Sequence, residues 1–73
     1  MSDYVAIYNK SMRDKSVAEM RYQAALLSYN AAVTAQEDTV VIDRYRAEIH
    51  ALVDIILDNV SMICYCTNKM QGL

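Results

Sequence analysis

A chain of 73 residues forms one domain at most, and a chain this short buries only roughly 60% of its unfolded surface when it folds alone. Yet 55% of the residues are hydrophobic, above the usual share for a soluble domain, so a lone monomer would leave many apolar side chains wet. The net charge is −2 with Lys and Arg scattered, which argues against nucleic acid as a partner, and the lack of proline with a single glycine, Gly72, argues against a turn-rich β-fold and for helix.

The first residues, Met1 to Tyr4, carry neither the basic start nor the apolar run of a signal peptide. Residues 3–14 read as helical, either lengthening the first long helix or forming a separate short N-terminal helix that folds back. Ser16 and Glu19 make a candidate capping box, with Val17 opening an apolar pattern, so the first long helix is expected over residues 16–36. Gln36-Glu37-Asp38-Thr39 is the only polar cluster in the middle of the chain and marks a turn. Asp38 or Thr39 can cap a second long helix over residues 39–69, and Asp43 near its start suits the helix dipole. Its apolar stretch Ile49–Cys66 is interrupted by His50, Asp54 and Asp58, which makes it a poor membrane span.

Spacing predicts which faces meet. Val17, Met20, Ala24, Leu27, Ala31 and Thr34 recur at alternating steps of three and four, and so do Ile42, Tyr45, Ile49, Leu52, Ile56, Asn59, Ile63, Cys66 and Met70. Folding back at Asp38 aligns the two stripes, with Leu27 near Ile49 and Ala24 near Leu52. The expected fold is therefore all-α, an antiparallel helical hairpin. Tyr22, Leu26, Tyr29 and Val33 then lie on the far side of the first helix, and Val53, Leu57, Val60 and Cys64 widen the stripe of the second. These eight residues are the expected partner-binding set. Asp43, His50, Asp54, Asp58, Ser61 and Asn68 form a polar face. Six tyrosines without Phe or Trp suit half-wet surfaces. Self-pairing into a homodimer, or cover by residues 3–14 in a three-helix monomer, would also bury the surplus face.

No catalytic site, metal site or cofactor is expected. His50 and Asp54, four residues apart, read as a surface pair. Cys64 and Cys66 point about 200° apart on a helix, and His50 lies about 21 Å away along it, so the three do not converge on one ion. Both cysteines read as small hydrophobes in a reducing compartment. Asn59 falls in the stripe, either as a buried polar residue that sets register or as an edge residue.

From Glu19 to Val60 the chain resembles a known family. The residues concerned are Ala24-Ala25-Leu26-Leu27, the polar turn, Ile42-Asp43-Arg44-Tyr45, Ile49-His50-Ala51-Leu52 and Ile55-Ile56-Leu57. The resemblance is to the small co-chaperones of type III secretion needle subunits, although Thr39-Val40 stands where that family carries a proline. It implies a cytoplasmic bacterial protein, a helical hairpin that docks on a larger helical-repeat chaperone and helps keep the needle subunit soluble. A needle-like structural subunit and a small dimeric regulator are the alternatives.

Overall fold

The computed structural model describes residues 3–72 and contains two helices, α1 (Tyr4–Thr34) and α2 (Thr39–Gln71). They are 31 and 33 residues long and run antiparallel, so the molecule is a rod of 55 × 16 × 14 Å. The expected all-α hairpin is the fold observed, with its reversal at Ala35–Asp38.

Residues 4–14 continue α1 without a break and do not fold back as a third helix. Asp3, not Ser16, is the N-cap: its Oδ1 accepts a hydrogen bond from the Ala6 N–H at 3.0 Å. Ser16 sits in mid-helix on an exposed position. The reason α1 starts so early lies across the hairpin. The C-terminal half of α2 carries Ile63, Cys66 and Met70 on its inner face, and α1 must reach back to cover them. Near that end the Tyr4 and Tyr65 rings meet edge to face with centroids 6.1 Å apart.

The chain reverses through a Schellman motif. The Glu37 N–H donates to the Ala32 carbonyl at 2.9 Å and the Gln36 N–H to the Val33 carbonyl at 3.1 Å. The motif requires a left-handed residue, usually glycine, and Gln36 takes that place with φ 55°. Asp38 then occupies the N-cap position of α2, where its carbonyl accepts from the Val41 and Ile42 N–H groups. Its side chain makes no capping hydrogen bond.

The stripe expected on α2 is the one that packs inward. Ile42, Tyr45, Ile49, Ile56, Asn59, Ile63 and Met70 are half-buried, and Leu52 and Cys66 are buried. The stripe expected on α1 is not. The buried residues of α1 are Ser11, Ala18, Ala25 and Ala32, one every seventh residue. Tyr4, Tyr8, Lys15, Tyr22 and Tyr29 interleave with them and are half-buried. The core groups Ala18, Ala25 and Leu52, with Tyr22, Ile49 and Ile56 packed against them. Val17, Met20 and Leu27 face outward instead, the last two 71% exposed.

Volume explains this correction. Ile49, Leu52 and Ile56 are large, and a matching row of Ser and Ala on α1 lets the two helix axes approach closely. Met20 and Leu27 on that line would hold them apart. The half-buried tyrosines flank the small row, as suits a side chain with an apolar ring and a polar tip.

Candidate interaction site

With the inner face of α1 spent on α2, the opposite face is left open. Val17, Met20, Ala24, Leu27 and Ala31 are all exposed, at steps of three, four, three and four. This is the repeat that makes a coiled-coil seam, and no charged residue interrupts it. α1 therefore carries two such seams on opposite sides, one buried in the hairpin and one open. The open seam carries Met20 and Leu27, each 71% exposed.

Val17 also borders α2. It lines a shallow groove with Asp14, Ala18, Arg21, Leu52 and Ile55, so the open seam is continuous with Ile55, itself 45% exposed. This contact shows which flanks of the two helices share a side.

The expected partner-binding residues divide between the inner seam and one flank of the hairpin, and none lies on the open seam. Tyr22 packs against the core, and the Tyr29 hydroxyl accepts a hydrogen bond from Arg46 Nη2 at 3.4 Å, so both rings belong to the intrachain seam. Their expected place on the far side of α1 is thereby corrected, with the same origin in the small-residue row. Tyr29, followed by Asp43, also favours the charged form of the Arg46 guanidinium. Leu26 is half-buried and Val33 exposed, on the rim of the seam. On α2, Val53 and Val60 are half-buried while Leu57 and Cys64 are exposed. At 100° per residue these four residues and the Leu26–Val33 rim fall on the same flank of the hairpin, away from the Val17 groove. They form a second and more broken apolar tract.

Polar groups settle into local roles. Asn59 donates from Nδ2 to the Ile55 carbonyl of its own helix at 2.9 Å, so it is satisfied without reaching α1. Thr67 does the same to Ile63 at 2.8 Å. Lys15 lies in the inner seam, its stem along the apolar surface and its Nζ 3.1 Å from Glu19. Asp43, His50, Asp54, Asp58, Ser61 and Asn68 are all exposed, and form the polar outer face of α2. Cys66 is fully buried and Cys64 exposed, both as free thiols. Among the described residues no three His, Cys, Asp or Glu side chains are placed to hold a metal ion.

By length and composition alone, α2 could cross a membrane: an 18-residue window reaches a mean hydropathy of 1.5, and 11% of that window is buried. Asp54 and Asp58 lie one turn apart within its apolar stretch. Two carboxylates at mid-depth are expensive in hydrocarbon.

Comparison of the chain with protein-family models, with curated proteins and with solved structures finds no match.

Proposed function

We propose that the chain is a non-catalytic protein-binding module that uses the open seam of α1 to engage a helical partner. The observation that carries this reading is the seam itself: two of its large side chains, Met20 and Leu27, are 71% exposed on a helix whose other face is already packed. A run of this kind on so small a rod is the kind of surface a helix-in-groove or helix-on-helix contact buries. The tract of Leu26, Val33, Val53, Leu57, Val60 and Cys64 would extend the contact round one flank.

The specific role proposed is that of a type III secretion co-chaperone in the bacterial cytoplasm. In that role the hairpin docks on a larger helical-repeat chaperone, and together they hold a needle subunit unpolymerised. Support comes from the resemblance over Glu19 to Val60, and from the agreement between the hairpin form and that family's architecture. A needle-like subunit of a polymer is the rival.

Affinity purification of the tagged chain from its native host tests this. A helical-repeat chaperone should co-purify in stoichiometric amount. Burial of an aliphatic side chain is worth roughly 1.5–3 kcal/mol. Met20→Gln with Leu27→Gln should therefore weaken capture at least about a hundredfold, at 1.4 kcal/mol per factor of ten. The circular dichroism spectrum should not change, because neither side chain supports the hairpin. Capture indifferent to the double change would sink the docking face, and a chain that grows into filaments would favour the rival.

A further inference from the structure

We propose that the open seam is self-complementary, and that two copies of the chain pair through it antiparallel, the two α1 helices at the centre and an α2 helix on each outer side, to form a four-helix layer. This rests on the reading of the seam as an interaction face and names what covers it when no other partner is bound.

The first argument is volume. Place a two-fold axis midway between Ala24 and Leu27. Val17 then meets Thr34 of the second copy, Met20 meets Ala31, and Ala24 meets Leu27. The symmetry repeats each layer in reverse. The two largest residues each face an alanine, as interdigitation requires, and the interface is isologous. Sliding by one heptad loses this. In one direction Arg13 falls opposite Ala31 inside the seam, and in the other Val17 runs past the end of α1. A parallel pairing would stack Leu27 on Leu27 and Ala24 on Ala24, leaving a void beside a bulge.

The second argument is charge. One step before Val17 the open stripe reaches Arg13, and just past Thr34 lie Glu37 and Asp38 of the turn. The same two-fold axis sets Arg13 of each copy beside the acidic turn of the other. Among the described residues, the side chains of Arg13, Glu37 and Asp38 make no hydrogen bond or ion pair within the hairpin. A parallel arrangement would bring Arg13 against Arg13 instead. Charge and volume thus select the same arrangement independently.

Sedimentation equilibrium of the intact chain is the test. The mass should level off at twice the 8.3 kDa of one chain and grow no further. Leu27→Glu should return it to the single-chain mass with the helical signal intact. Ala24→Glu, which replaces an exposed methyl group, should do the same and guards against misfolding of the first variant. Arg13→Glu should weaken the dimer about tenfold, since two symmetric pairs are reversed. Adding Asp38→Arg to Arg13→Glu should restore most of the loss. A mass that stays at one chain at every concentration overturns the proposal, as does a dimer that survives both seam variants. A double charge swap that fails to rescue overturns the antiparallel arrangement. A chain that is monomeric yet loses a co-purifying chaperone on Leu27→Glu sinks the self-pairing and spares the docking reading. A dimer with no co-purifying chaperone does the reverse.

Discussion

The two helices of this hairpin have similar lengths and opposite designs. α2 has one continuous inner stripe, an apolar flank at Val53, Leu57, Val60 and Cys64, and a polar outer side. Asp43, His50, Asp54, Ser61 and Asn68 hold the outward side, and Leu52 and Cys66 lie at the centre of the inward one. α1 is apolar in two directions. Its inner row is small, Ser11, Ala18, Ala25 and Ala32, and its outer row includes Met20 and Leu27. A helix packed once needs one apolar side. The second side of α1 is therefore surplus to the hairpin, and that surplus is the basis for reading the protein as a binding module.

The largest effect should come from the residue on which the inner seam converges. Leu52 is buried against Ala18 and Ala25. Truncation of a buried leucine typically removes about 2–5 kcal/mol. For a hairpin with so few fully buried residues, Leu52→Ala should abolish cooperative unfolding in urea at room temperature. A Leu52→Ala variant that melted within a few degrees of the parent would mean that stability resides elsewhere, most simply in an interface between copies.

Two adjacent alanines test the assignment of faces more sharply. Ala25 is 5% exposed in the inner row, while Ala24 is open on the outer one. Ala25→Leu forces a large side chain between the helix axes and should destabilise by about 1–3 kcal/mol. Ala24→Leu adds volume where there is space, so its effect on the unfolding of the single hairpin should stay within about 0.5 kcal/mol. Measured by denaturant midpoint at low concentration, equal losses at both positions would refute the division of α1 into inner and outer rows.

What the sequence showed and what it hid follow from the same contrast. The hairpin, the turn at Gln36–Thr39 and the whole inner stripe of α2 were legible, because a polar cluster and a single continuous stripe leave one solution. The inner stripe of α1 was not, because both stripes share the three-four repeat. Hydrophobic mass favoured Val17, Met20 and Leu27, whereas packing against Ile49, Leu52 and Ile56 demanded small residues. The signal that separates them is the heptad Ser11–Ala18–Ala25–Ala32, which also runs straight through the apparent capping box at Ser16. The same exchange turned Tyr22 and Tyr29 inward and left the open seam outside the expected set of partner-binding residues.

The smallest effect lies at the turn, where both designs meet. Gln36 holds φ 55° with a side chain in a conformation that suits glycine. The left-handed region penalises an L side chain by roughly 1–2 kcal/mol, and the greater freedom of an unfolded glycine takes back about 0.4–1 of that. Gln36→Gly should therefore stabilise by about 0.5–1 kcal/mol, seen as a higher urea midpoint at unchanged slope. The substitution leaves the Schellman hydrogen bonds to Ala32 and Val33 in place. It should accordingly leave the facing of α1 unchanged, with the Cys66 thiol still protected and Cys64 still open to a thiol reagent. A gain in stability accompanied by exposure of Cys66 would mean that the turn, and not the small-residue row, selects which face of α1 meets α2. A loss of stability would mean that the Gln36 side chain itself holds the reversal together.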